Sequence, residues 1–321
     1  IARFHAGCRA DAETARDGTP EAIAVNVVEN FKQTRAVLER YLSAAEASEI
    51  EAWQLGVLRD QAPVLAARIA RGAVRDGHGD LRLEHAYLHQ GGITILDCIE
   101  FNDRFRYADV ACDLAFLTMD LAHHRRVDLA EHLLAAYARE SNDFDLYSVI
   151  DFYESYRAYV RAKIATFLAE NADAPHDLRA GAAAEARRYF LLALAAERAP
   201  ALRPTVVAVG GILAAGKSTL AGWISREVGA PIVEADRTRK SMLGVAPTTR
   251  VNDGAWSGAY DKGFTEKVYA EVMRRAGVVL ASGRPVIIDA SFRSPAMRLA
   301  AQAVARAHGA PFVFVECRAP A

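Results

Sequence analysis

The first 72 residues repeat apolar side chains every three or four positions with charges between them. Val27, Phe31, Thr34, Val37, Leu38 and Tyr41 predict a helix over 26–42, and the same period predicts another over 44–71. Two short β-like runs follow, Ala86 to His89 and Ile93 to Leu96, joined at Gly91-Gly92, a pairing that signals a hairpin. From Tyr107 the helical period returns. It predicts an amphipathic helix from Val127 to Glu140, a long one from Leu146 to Glu170, and an Ala-rich one from Leu178 to Glu197. Asp109 and Asp113 are four apart and share one helical face.

At Pro200 and Pro204 the pattern changes, since proline cannot continue a helix. Beyond them, apolar runs end in small or acidic residues and alternate with helices: 205–210, Pro231 to Glu234, Arg284 to Ile288 and Phe312 to Glu316 as strands. Leu220 to Val228, Tyr260 to Ser282 and the stretch from Pro295 to Gly309 read as helices, the last with Ser294 as N-cap and Pro295 in first position. Strands alternating with helices predict a parallel sheet covered on both faces. The chain is therefore α/β overall. It divides into a mainly helical first domain with one hairpin, residues 1–200, and an α/β second domain, residues 204–321. No 20–50-residue repeat interrupts this plan.

Composition narrows the class. The chain has 321 residues, is 52% hydrophobic and 25% charged, and carries a net charge of −1, enough apolar material for real cores and no global basic field for nucleic acid. Nucleic-acid binding is thus an unfavoured expectation. No apolar run is long enough to span a bilayer, and the start has no signal-peptide core. The four cysteines lack C-x-x-C spacing and are expected as free thiols in a reducing cytoplasm. Ile1 in place of Met, and the stop at Ala321 just after a strand, lead us to expect a fragment of a longer protein.

The sharpest chemistry lies between the first strand and helix of the second domain. Gly211-Ile-Leu-Ala-Ala-Gly216-Lys217-Ser218-Thr219 has the form G-x-x-x-x-G-K-S/T, the P-loop. A polyphosphate needs several N–H donors close by. Glycines let the backbone approach and turn, and the following helix points its N-terminus at the anion. Gly211, Gly216, Lys217, Ser218 and Thr219 are the expected nucleotide ligands, with Lys217 reaching the terminal phosphates and Ser218 holding Mg²⁺. Asp289, at the end of the third strand, has a place from which it could also hold Mg²⁺. Asp236 ends the second strand and could serve as general base, or simply cap the next helix; Arg239, one turn on, could clamp a substrate anion.

These residues resemble the P-loop small-molecule and polynucleotide kinase group, over about 204–321. Asp236-x-x-Arg239 looks like its acceptor-site motif and Asp289-Ala-Ser-Phe292 like its third-strand segment. The resemblance implies ATP and Mg²⁺ as cofactors and phosphoryl transfer to a hydroxyl. This chain has Ala214 where many members have glycine, and it stops before the position of the arginine-bearing lid.

In the first domain, His78-Gly79-Asp80, the hairpin, Asp97 and the Asp113-Leu-Ala-Phe helix resemble the large lobe of the aminoglycoside-phosphotransferase and protein-kinase-like fold, over about 1–200. The resemblance implies Asp80 as base, His78 as loop anchor, and Asp97 as metal ligand. His85 stands where the family has a metal-binding Asn, and it is a softer donor. No glycine-rich strand pair or strand lysine precedes residue 72, so the small lobe that grips ATP is not among these residues. The order of the two halves resembles a bacterial family of bifunctional aminoglycoside-phosphotransferase-like and ATP-binding proteins. His5 is expected as a packed helical histidine, with a ligand as the alternative, and Arg157 and Arg161 as a solvated face paired with Glu154 and its neighbours, with a site for an anion or the other domain as the alternative.

The leading expectation is a cytoplasmic ATP-dependent phosphotransferase acting on a small-molecule hydroxyl. The alternatives are a nucleotide-driven switch whose first half binds a ligand or partner, and a nucleic-acid 5′-end kinase. Oligomeric state is not legible in the pattern.

Overall fold

Capping chemistry sets where the first helices begin. In a computed structural model, which describes residues 1–194, 202–251 and 258–318, the chain opens with α1 (Ala2–Gly7), α2 (Ala12–Ala15), α3 (Pro20–Thr34), α4 (Ala44–Asp60) and α5 (Ala62–Ala70). The Thr19 hydroxyl accepts from the Ala22 N–H ahead of Pro20, and Ser43 and Glu46 form a reciprocal capping box. The helix expected over 44–71 breaks at Gln61, because Pro63 in the next turn has no N–H to continue the ladder. The helix expected over 26–42 instead ends at Thr34, and a 3₁₀ turn covers Leu38–Arg40.

Strand β1 (Val74–Asp76) leads to β2 (Ala86–His89) and β3 (Gly92–Ile95), then α6 (Asp103–Arg106) and β4 (Tyr107–Asp109). The hairpin pairs His89 with Gly92, so its turn residues are Gln90 and Gly91, one position before the expected glycine pair. β1 and β4 pair antiparallel, a two-strand ribbon the pattern does not predict. Next come α7 (Val110–His123), α8 (Val127–Ser141), α9 (Ile150–Glu170) and α10 (His176–Ala193). The end of the expected helix at 195–197, and part of the expected boundary at 200–204, lie outside the described residues.

The chain forms two units, residues 1–130 with 149–199, and 131–148 with 200–321. The first is built on α7, which is buried on almost every side, packed against α9. Tyr159 of α9 meets Phe190 of α10 edge-on at 5.1 Å, both fully buried. Arg68 and Asp109 form a buried bidentate pair at 2.6 and 2.7 Å, which ties α5 to the start of α7. Arg157 corrects the expectation of a solvated face. It is buried, lies 4.6 Å from the Phe116 ring centre, and donates to the Cys112 carbonyl, while buried Glu154 accepts from Thr118.

The second unit holds β5 (Val206–Gly211), α11 (Lys217–Val228), β6 (Ile232–Glu234), α12 (Ala235–Met242), α13 (Lys262–Ala281), β7 (Val286–Asp289), α14 (Pro295–Ala307) and β8 (Phe312–Cys317). The strands are parallel in the order β6-β7-β5-β8. Central strands of such a sheet need apolar residues on both faces. Val206, Ala208, Ile287 and Ile288 are accordingly fully buried, and Val209 and Ile287 pack with Ala221, Ala230 and Ile232. Residues 131–148 group with this sheet, although the pattern gave them to the first domain. Glu131 pairs with Arg284 (2.8 Å), Arg139 with Glu234 (3.0 Å) and Asp145 with Arg274 (2.6 Å).

Candidate functional site

Ligands of parallel sheets bind beyond the carboxyl ends of the strands. At that edge of the second unit β5 runs into the P-loop. Gly211 has φ 142°, and a Cβ on it would meet the Cys317 carbonyl oxygen of β8 at 2.4 Å, so only glycine fits between the two strands. Gly216 has φ 84° and precedes α11; a Cβ there would meet nothing within 4 Å, leaving open space in front of the helix N-terminus. Ala214 takes φ 61°, so the loop keeps a conformation glycine prefers without having glycine, at a cost of roughly 1–2 kcal/mol. Ile212 and Leu213 are exposed, as is Thr219.

The Lys217 ammonium donates to the Ile212 carbonyl at 2.6 Å, folded across the loop. The Ser218 hydroxyl donates to Asp289 Oδ2 at 2.6 Å. Asp289 is 7% exposed, and burial pushes its carboxyl above the usual range; Ser218, Lys217 and Arg139 act against that, and Glu234 adds to it. Two hard oxygen donors side by side at a helix N-terminus suit Mg²⁺, which takes few protein ligands and completes its shell with phosphate and water. The open backbone cradle beside them suits the phosphates of ATP. The segment after Asp289 is held firmly: the Tyr269 hydroxyl accepts from the Phe292 N–H at 3.1 Å, and Arg298 donates to the Phe292 carbonyl at 2.8 Å.

Asp236 and Arg239 do not come together as a pair facing one ligand. Asp236 lies in the first turn of α12, not at its cap, and its exposed carboxylate pairs with Lys240 at 2.7 Å. Arg239 is 6% exposed. It donates to the Ala259 carbonyl and to Thr265, with its guanidinium 4.8 Å from the Tyr260 ring centre. The expected anion clamp is thus corrected: this guanidinium is spent on joining α12 to the start of α13. Arg139 and Glu234 were not expected at this edge. Glu234 ends β6 beside Asp289 and accepts both hydrogen bonds from Arg139, which arrives on α8. A strand-end glutamate was visible in the sequence; nothing marked Arg139.

In the first unit, Asp113 organises the His78-Gly79-Asp80 loop. Its carboxylate accepts from the His78 and Gly79 N–H groups at 2.6 and 2.8 Å and lies 3.4 Å from the buried His5 ring. A Cβ on Gly77 would meet that carboxylate at 2.4 Å. Burial alone would raise the Asp113 carboxyl, but His5, the His78 N–H and Arg157 hold it below its ordinary value. His78 accepts from the Asp80 N–H and donates to the Leu96 carbonyl at 3.0 Å, which joins the loop to the end of the hairpin.

Asp80, His85 and Asp97 do converge, but around an arginine. Arg82 donates to both carboxylate oxygens of Asp80, at 2.9 and 3.0 Å, and to His85 Nε2 at 3.2 Å. His85 Nδ1 donates to the Asp80 carbonyl, and its Nε2 lies 3.3 Å from the exposed Asp97 carboxylate. Among the described residues no group of three or more His, Cys, Asp or Glu is arranged to hold a metal. The structure thus brings the expected metal ligands His85 and Asp97 together, with Arg82 bonded to His85 on the side of Asp80.

Residues 206–321 match the family model described as AAA domain. They carry an AAA domain of the P-loop NTPase type. The chain is 33% identical, over 99% of its length, to uncharacterized proteins of Mycobacterium tuberculosis and of Mycobacterium bovis, and it spans 62% of their length. No solved structure matches it significantly. The AAA domain implies nucleotide binding, usually with Mg²⁺, and the family includes kinases. Among the described residues no helix is long and apolar enough to cross a membrane.

Proposed function

We propose that this chain is a cytoplasmic, ATP-dependent phosphotransferase whose P-loop unit acts on the hydroxyl of a small molecule. The observation that carries the reading is the Ser218–Asp289 pair at 2.6 Å, set at the mouth of an open glycine cradle. Backbone N–H groups from Gly211 to Thr219 would bind the phosphates, and Lys217 would leave the Ile212 carbonyl for the terminal ones. Ser218 and Asp289 would hold Mg²⁺, which when bound neutralises charge on the β- and γ-phosphate oxygens. Asp236 is exposed and needs only to release Lys240 to take the acceptor proton. The acceptor oxygen then bonds to the γ-phosphorus as the bridging bond breaks and ADP leaves.

A second reading keeps the nucleotide and gives the first unit a binding role without catalysis. It is favoured by Arg82, which occupies both oxygens of the expected base Asp80. The kinase-like large lobe would then recognise a ligand or partner while the P-loop unit turns over ATP. A nucleic-acid acceptor has the least support, given the net charge of −1.

The test is Mg-ATP calorimetry and phosphoryl transfer across a panel of hydroxyl compounds, using the full chain, Lys217→Ala and Asp236→Ala. The proposal expects no binding by Lys217→Ala, and normal binding with transfer lowered about 10²-fold or more by Asp236→Ala. Unimpaired transfer by Asp236→Ala removes the base assignment. Hydrolysis that no hydroxyl accelerates favours the switch.

A further inference from the structure

Phosphoryl transfer calls for a cation beyond the P-loop lysine, and three arginines of the second unit are already bonded within its fold. A transferring phosphoryl group spreads negative charge over three oxygens, and an arginine usually meets it in addition to the P-loop lysine. Within the P-loop unit Arg239 is buried and spent on Ala259 and Thr265. Arg237 is tied to the Arg139 carbonyl, Glu234 and Glu140. Arg298 is bonded to the Phe292 carbonyl.

Arg139 is placed differently. It lies outside the matched stretch 206–321, on the part of α8 that groups with the second unit. Its Nε and Nη2 donate to the two oxygens of Glu234, at 3.1 and 3.0 Å, and the Arg237 guanidinium holds its carbonyl at 2.8 Å. Glu234 is in register with Asp289 on the adjacent strand. Adjacent strands are about 4.8 Å apart, so the bidentate pair stands next to the Ser218–Asp289 pair. The Arg139 side chain is 41% exposed, and its Nη1 makes no hydrogen bond among the described residues. The Asp289 carboxylate feels both Arg139 and Lys217. The guanidinium is therefore oriented by one face, Nε and Nη2, and open on the other.

We propose that Arg139, delivered by α8, is a catalytic residue of the P-loop site and contacts the transferring phosphoryl group through its free Nη1. Glu234 is its positioning residue. The inference rests on the phosphotransferase reading above and deepens it.

The experiment compares Mg-ADP with Mg-ADP plus aluminium fluoride, a mimic of the planar transferring group, by calorimetry on the full chain. Arg139→Ala should bind Mg-ADP within about threefold of wild type but lose about 10²-fold or more in the affinity gained on adding fluoride, with turnover falling in parallel. Arg139→Lys, which keeps charge and tests a variant closer to the native fold, should lose about tenfold. Glu234→Gln should lose less than Arg139→Ala, because the guanidinium is loosened and not removed. The ratio of the two affinities is unaffected by a fraction of unfolded protein, so a residue that only docks α8 would leave it unchanged. An unchanged ratio in Arg139→Ala and Arg139→Lys overturns the proposal. So does a loss of ratio in Arg293→Ala, the exposed arginine after β7, with none in Arg139→Ala. If Lys217→Ala binds Mg-ADP normally, it is the P-loop reading itself that fails.

Discussion

Replacing each P-loop glycine by alanine should separate two reasons for a glycine. At Gly211 an added Cβ meets the Cys317 carbonyl oxygen at 2.4 Å and the Cys317 carbonyl carbon at 3.3 Å, and the residue has φ 142°. Both obstacles are backbone of the paired strand β8, which cannot move without breaking the β5–β8 ladder. Backbone strain of this kind costs about 1–3 kcal/mol and overpacking a similar amount, so Gly211→Ala should lose roughly 2–6 kcal/mol. At Gly216 the Cβ meets nothing within 4 Å, and only the left-handed φ of 84° is penalised, at about 1–2 kcal/mol. For a unit of this size, each kcal/mol shifts Tm by roughly 4 °C. Scanning calorimetry without nucleotide should show the unit's Tm falling by about 8–24 °C in Gly211→Ala and by about 4–8 °C in Gly216→Ala. Ligand then reverses the ranking of interest. At 100 times Kd, Mg-ATP should add about 2.7 kcal/mol to wild type and nothing measurable to Gly216→Ala, whose new methyl fills the space kept for phosphate. A Gly216→Ala protein that keeps the full nucleotide shift, or melts as low as Gly211→Ala, would refute the assignment of that space to phosphate.

Two further outcomes follow from buried charge. In Asp289 burial raises the folded-state carboxyl above its unfolded value, so the folded protein holds that proton more tightly and its ionisation costs stability as pH rises. Asp289→Asn should therefore gain Tm relative to wild type as pH rises from about 3.9 towards neutrality without metal, and lose the Mg²⁺ dependence of nucleotide binding; a relative fall over that range would show the carboxylate stabilises the apo fold. Arg68→Met should cost the first unit about 3–5 kcal/mol in urea unfolding, because it strands the buried Asp109 carboxylate, and a loss under about 1 kcal/mol would mean water already reaches the pair.

The P-loop was legible because its sequence specifies backbone directly. Gly211 and Gly216 encode positive φ, Lys217-Ser218 the donors, and the flanking apolar run and helix their setting. The parallel sheet was legible for a related reason, since strands such as Val286-Ile-Ile288 are buried on both faces and read as unbroken apolar runs. The β1–β4 ribbon was not, as three residues per strand are too few to show alternation, and their partners are distant in sequence.

Side-chain allegiance was the other blind spot. Asp236-x-x-Arg239 has the spacing of two groups on one helix face, but spacing does not say what packs on that face. Tyr260 and Phe264 arrive from α13 and its preceding turn and take Arg239 into the interior. Arg82 two residues after Asp80 was in plain sight, yet only the turn of the loop brings its fork onto both carboxylate oxygens. Arg139 is the strongest instance. Chain order assigns α8 to the helical half, while its ion pairs with Glu234 and, through Glu131, with Arg284 commit the end of that helix to the sheet. A search confined to residues 204–321 therefore leaves out the arginine proposed above for the transferring group. That arginine comes into view only when residues 131–148, which precede the motif in sequence, are counted with the unit they group with.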